Sequence, residues 1–318
     1  MFQLIPQNTN IDFVRNRHFF VALSVLAIIA SIALMATKGL NYGIDFRGGA
    51  EVQLKFKRPM NIAELRKDLE ESKSFKNLTI QQLGEANTNE FLAKVAGDEE
   101  NLQKIGQTVE AALLKKVDKA DFEIVRVDVV GPQAGEQLRK SGFLSMMYAL
   151  LCIFIYVAIR FDSRYSPGAV MALVHDSFIT LGIFVITQKE FSLQILAAIL
   201  TIIGYSNNDT IIVYDRIRET LKAHPNRSLG ENINRSINET LSRTILTSLT
   251  TFLVTFALMV YGGGVIGDFA FTMCIGIVVG TYSSIFIASP VLMYVTEMQE
   301  KRAKTGKPMV TTASATRS

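Results

Sequence analysis

The sequence predicts a membrane α-helical protein of six spans, with one water-soluble α+β domain set between the first two. Three observations carry this. Six apolar runs are each long enough to cross a bilayer, which takes roughly 20 residues for a hydrocarbon core of about 30 Å. Charge is instead concentrated in one block, residues 50–130, and in short connectors. Basic residues also alternate between connectors in the manner that fixes membrane orientation.

The first run, His18–Thr37, follows Arg15 and Arg17. It exceeds the length of a signal-peptide core, about 7–15 residues, and reads as a retained anchor. Next come Ser141–Ile159, Pro167–Thr187, Phe191–Tyr214, Leu241–Tyr261 and Asp268–Val295. Arg160 and Arg164 follow the second run, Arg216, Arg218, Lys222, Arg227 and Arg235 the fourth, and Lys301, Arg302, Lys304 and Lys307 the sixth. The opposite connectors hold only Lys189. The expected layout is therefore a cytoplasmic N-terminus (1–17), a first span (18–37), an outward, periplasmic domain (38–140), five further spans (141–297) and a cytoplasmic tail (298–318).

Within the outward block, Glu51–Lys57 alternates apolar and polar residues, as a half-buried strand does. Asn61 and Glu64 form a cap-like pair opening an amphipathic helix through Leu65 and Leu69. Leu78–Leu83 and Phe91–Ala96 read as strands joined by a polar turn at Glu85–Asn89. Asp98 opens a second helix, whose apolar residues Leu102, Ile105, Val109, Leu113 and Val117 recur every three or four positions. Phe122, Ile124, Val127 and Val129 mark a closing strand. The order β-α-β-β-α-β predicts a ferredoxin-like module. It has no phosphate-binding loop, no zinc-binding HExxH and no histidine, so it reads as a positioning or interaction domain.

No metal or cofactor site is expected, and a net charge of +4 is too small to suggest a nucleic-acid partner. Cys152 and Cys274 both lie in apolar runs and read as packing residues.

Ionisable groups within spans cost about 2.5–3.5 kcal/mol each on insertion scales and usually face the bundle interior. Asp209 lies about five residues before the end of the fourth run, roughly 7–8 Å below the interface at 1.5 Å per residue. Arg243 opens the fifth, antiparallel run at similar depth. The two are candidates for a proton relay, a carboxylate alternately paired with an arginine. Spacing alone also fits snorkelling for Arg243 and a packing hydrogen bond for Asp209. His175 and Asp176 sit mid-span in the third run, where a proton pathway and a structural His–Asp bond fit equally. Asn208, Thr210 and Thr247 extend the candidate polar pathway; Ser206, Ser248, Thr250 and Thr251 add hydroxyls that serve equally as interhelical glue.

These motifs resemble the SecD/SecF family of protein-export membrane proteins. Tyr42–Gly49 (YGIDFRGG), with Asp45, Gly48 and Gly49, is similar to its shared signature. Gly204–Thr210, Tyr214–Glu219, Ser236–Thr244 and Gly280–Ser284 are similar to motifs of its SecF members. The resemblance implies half of a twelve-span bundle of the resistance–nodulation–division type, completed by SecD in the bacterial inner membrane. It also implies association with the SecYEG channel, its accessory subunits and a translocating polypeptide, driven by the proton gradient rather than by an enzymatic step. In that scheme Asp209 carries the proton and Arg243 is its partner. Two other readings stay open: a small-molecule efflux subunit, and a translocon scaffold that transduces nothing.

Overall fold

The computed structural model describes residues 9–71, 75–83, 89–96 and 104–305. Six helices in it are long and apolar enough to cross a membrane. In chain order, α1 (Arg17–Lys38) leads through the one-turn α2 (Ile44–Arg47) into the sheet domain. That domain comprises β1 (Gly49–Phe56), α3 (Ile62–Glu70), β2 (Lys76–Leu83), β3 (Glu90–Ala96), α4 (Ile105–Leu113), a 3₁₀ turn (Lys119–Asp121) and β4 (Phe122–Val130). The remaining spans are α5 (Pro132–Arg160), α6 (Ser166–Thr187), α7 (Leu193–Ala223), α8 (Leu229–Tyr261) and a last span in which α9 (Gly264–Ser283) and α10 (Ser289–Thr305) flank a π-helical turn, Ser284–Ala288.

The four strands run in the order β2-β3-β1-β4, with each neighbouring pair antiparallel. β3 therefore lies between the two strands that α3 connects. Asn61 caps α3 by accepting from the Ala63 N–H, as its position in the sequence suggests. Val52, Leu54, Phe91, Leu65, Leu69 and Val109 form a core of fully buried side chains between sheet and helices. Each such side chain is worth about 1.5–3 kcal/mol of burial. The pattern Phe122, Ile124, Val127, Val129 skips a residue after Ile124, and the register of β4 against β1 shifts at that point. A bulge there returns Val127 and Val129 to the face opposite Val52 and Ala50. Of the expected turn at 85–89 only Asn89 is described, and it has φ +48°. Asp98 and Leu102 also lie outside the described residues, as does the tail beyond Thr305.

Four spans reach well beyond their apolar runs: α5 starts at Pro132 rather than Ser141, α7 continues to Ala223 past Tyr214, α8 starts at Leu229 rather than Leu241, and the last runs on to Thr305 past Val295. Hydropathy finds only the part that hydrocarbon covers. The ends are set by local chemistry, with Pro132 in the first turn of α5 and a Ser228–Glu231 capping box on α8. The extensions of α7 and α8 are tied by Arg216, which pairs with Glu239 at 2.6 Å. Ahead of α1, the chain is strapped to α8 by Asn234 and Asn238, whose amides hold the backbone at Ile11 and Phe13.

A candidate proton-relay site in the helix bundle

α7 and α9 pack closely because α9 carries Gly276 and Gly280 one turn apart. A Cβ at Gly276 would run into Ile202, and one at Gly280 would lie 2.9 Å from the Ser206 Cβ. Such small-xxx-small spacing lets membrane helices approach backbone to backbone. The approach brings the hydroxyls at the end of α9 onto the carboxylates of α6 and α7.

Asp176, fully buried on α6, accepts from Ser206 of α7 at 2.6 Å and from Ser283 of α9 at 2.9 Å. His175, also buried, meets its other oxygen through Nδ1 at 3.0 Å and stacks on Tyr282. One residue after Ser283, Ser284 donates to Asp209 at 2.5 Å, while Thr244 of α8 donates to the other Asp209 oxygen at 2.6 Å. Two hydrogen-bonded clusters, one on Asp176 and one on Asp209, thus meet at the backbone between Ser283 and Ser284. Both Asp209 oxygens and one Asp176 oxygen accept from hydroxyls, and the other Asp176 oxygen faces the His175 ring nitrogen.

The π turn begins at Ser284. Pro290 has no N–H to give the carbonyl of Phe286, and its ring would crowd that carbonyl in a regular helix. The widened turn absorbs the conflict, and Ser289 Oγ donates to the Ser284 carbonyl at 3.1 Å. Insertions of this kind re-aim the side chains around them. Here the residue at the start of the insertion is Ser284.

Asp209 and Arg243 do not form an ion pair. Arg243 is exposed and lines a cavity of about 420 Å³ with Arg160, Asp215, Arg216 and Glu239. The hydroxyl neighbour Thr244 occupies the place beside Asp209 instead. Thr210 is buried, and its hydroxyl has no hydrogen-bond partner among the described residues. Asn208 and Thr247 are exposed, and the Thr247 carbonyl accepts from Tyr205. Ser283 and Ser284 are the site residues that sequence reasoning missed. The signals were there, in a Gly-x-x-x-Gly step and a proline inside the last span. Cys274 is buried, with its thiol against Thr255, while Cys152 is exposed. Among the described residues no group of three or more His, Cys, Asp or Glu side chains is placed to hold a metal ion.

The Tyr42–Gly49 segment forms the joint between domain and bundle. Gly43 donates to the Phe191 carbonyl at 2.8 Å, Phe46 stacks on Phe191, and Asp45 accepts from the Leu193 N–H at 2.9 Å, satisfying a free amide at the start of α7. Gly48 (φ +78°) leaves no room for a side chain against Pro132, and Gly49 (φ +154°) none against the Val95 carbonyl. Beside this joint Lys94 of β3 bridges Glu51 at 3.1 Å and Glu190, in the α6–α7 loop, at 2.5 Å. Burial would lower the Lys94 pKa, but Glu190 and Glu51 together hold it above the usual lysine value. Glu51 is raised by burial, with Lys94 opposing and Glu190 and Asp45 reinforcing the rise.

Fold and site together define a polytopic membrane protein whose spans hold a buried and a half-buried carboxylate on neighbouring serines beneath a docked α+β domain. The family model "Protein export membrane protein SecD/SecF, C-terminal" matches residues 109–298, and the SecD/SecF GG motif matches residues 33–60. The chain is 45% identical over 303 residues to a protein translocase subunit SecF of Calditerrivibrio nitroreducens, covering 94% of this chain and 98% of that one. It is 41% identical to a protein translocase subunit SecDF of Brucella abortus, over 92% of this chain and 38% of the longer one. The crystal structure of SecDF from Thermus thermophilus, a translocon-associated membrane protein, superposes with a TM-score of 0.78 at 36% identity, covering 92% of this chain and 40% of that one. The chain belongs to the SecD/SecF family of protein-export membrane proteins. It spans about two fifths of these SecDF chains, whose joined names support a partnership with SecD.

Proposed function

We propose that this chain is the SecF-type half of a proton-coupled export unit. It pairs with SecD in the bacterial cytoplasmic membrane, with both termini in the cytoplasm and the sheet domain in the periplasm. The pair acts at the SecYEG channel and draws polypeptide outward at the expense of the proton gradient.

One observation carries the coupling: Asp176 and Asp209 are held by adjacent serines, Ser283 at the end of α9 and Ser284 at the start of the π turn. An ionised Asp209 holds the Ser284 and Thr244 hydroxyls as donors. Protonation removes the charge that orders them and frees α8 and α9 to shift. Arg243 precedes Thr244, and neighbouring residues of a helix are set about 100° apart. A rotation of α8 by that step would exchange hydroxyl for guanidinium beside Asp209. The exposed Asn208, Arg243, Thr247 and Thr250 give α7 and α8 a polar flank suited to the spans of SecD rather than to lipid. One charge moving through 100 mV supplies about 2.3 kcal/mol, enough to bias a conformational step, so export of a whole chain takes repeated cycles.

The test is Asp209→Asn in membrane vesicles, following export of a reporter protein with and without a proton gradient. The variant should lose the gradient-dependent part and keep the rest. Equal gradient dependence in variant and parent would remove the relay.

A further inference from the structure

A second cavity lies between α5 and the link that follows α1, over α6 and the start of α7, at the end nearest the sheet domain. It encloses about 370 Å³ and is walled by Leu40, Phe46, Phe143, Met146, Leu181 and Leu196. Arg139 and Lys140 complete its lining, one turn closer to water on α5 than Phe143. The Arg139 guanidinium stands 6.0 Å from the centre of the Tyr42 ring and forms no ion pair among the described residues. Lys140 meets only Glu136, in an exposed i,i+4 pair at 2.8 Å. Such pairs are weak and exchange readily.

The helices flanking this cavity face hydrocarbon. The exposed side chains of α1 include Phe19, Leu26 and Ile29, and those of α5 include Phe143, Leu151 and Ile155. An apolar slot that opens beside the apolar outer surface of α5 and ends under two cations matches one kind of molecule. We propose that it holds one acyl chain of an anionic phospholipid from the leaflet on the sheet-domain side, with Arg139 and Lys140 over its phosphate. Leu40, Tyr42 and Phe46 belong to the link between α1 and the sheet, so the lipid would brace the joint on which the domain sits.

The chain contains no tryptophan, so a single one can report on the cavity. Phe143→Trp and, deeper, Met146→Trp are reconstituted in the full chain with brominated phosphatidylglycerol or brominated phosphatidylcholine. Ile32→Trp, on the outer surface of α1, is the reference. Quenching at 143 and 146 should be at least threefold stronger with the anionic lipid, and equal for the two lipids at 32. Adding R139Q and K140Q should bring the ratio at 143 to about one, with the thermal midpoint unchanged. The proposal fails if 143 and 146 show the same ratio as 32, or if the double substitution leaves their ratio intact. It also fails if neither lipid quenches them, which would mean that a protein segment fills the slot.

Discussion

Ser283 and Ser284 are neighbours in the chain, yet their hydroxyls serve carboxylates on different helices, Asp176 on α6 and Asp209 on α7. Ser283 closes α9 and Ser284 opens the π turn, so the change of winding falls between the two hydroxyls. Any change in the twist of this turn therefore alters both carboxylates at once.

Ser284→Ala should reduce gradient-dependent export by about tenfold, because a hydrogen bond to a charged group contributes about 1.5–3 kcal/mol. Ser284→Thr keeps the hydroxyl and should restore most of the activity. If alanine and threonine behave alike, the hydroxyl plays no part. Ser283→Ala measured beside them reports whether Asp176 belongs to the same path: a loss as large as that of Ser284→Ala places it there.

Gly280→Ala tests how the network is assembled. Its new methyl would stand 2.9 Å from the Ser206 Cβ, so α7 and α9 must part. Overpacking of this size costs about 1–3 kcal/mol. The thermal midpoint should fall and export should fall with it. Gly204→Ala, on the same pair of helices but with open space around it, should leave both unchanged.

The Lys94 bridge predicts how docking of the sheet domain depends on pH. The folded-state pKa of Lys94 lies above the usual lysine value of 10.5, so its contribution is complete below that value and is lost as pH rises through the folded pKa. Glu51 is raised as well, so the folded form binds its proton more tightly than the unfolded chain does, and its contribution is also greatest at low pH. The Glu51 contribution is lost as pH rises above the usual glutamate value of 4.5 and the Lys94 contribution only above 10.5, so the alkaline limb belongs to Lys94. Protease protection of the β1–α2 junction should hold through neutrality and fall above about pH 10.5. Lys94→Met should weaken it at neutral pH and flatten the alkaline limb. An unchanged limb in that variant would show that another group governs docking.

The spans, the sheet elements and the buried carboxylates were legible because each rests on local pattern: apolar length, alternation, and charge where charge is costly. The partner of Asp209 was not legible from such patterns. Depth on antiparallel helices placed Arg243 and Thr244 equally well, and helix rotation, which depth does not encode, put Thr244 inward. The roles of Asp45, Gly48 and Gly49 were recognisable only as a motif, because their contacts reach Leu193, Pro132 and Val95, each far away in sequence. The Ser283–Ser284 bridge needed a departure from the α-helix that hydropathy cannot register, although Pro290 marks it.

Pro290→Ala gives that departure its own test. With an N–H at 290 and no ring against the Phe286 carbonyl, the last span can close into a regular helix, and relief of an interior proline is worth up to about 3 kcal/mol. Regular winding would turn Ser284 away from Asp209. The variant should thus keep or raise its thermal midpoint while losing gradient-dependent export, a combination that simple damage to the fold does not produce. Adding Ser289→Ala to Pro290→Ala should cost nothing further, since the Ser284 carbonyl would then have its helical partner. If Pro290→Ala exports normally with a raised midpoint, the π turn is only an accommodation of proline, and the two carboxylates must communicate through Ser206 and α7 alone.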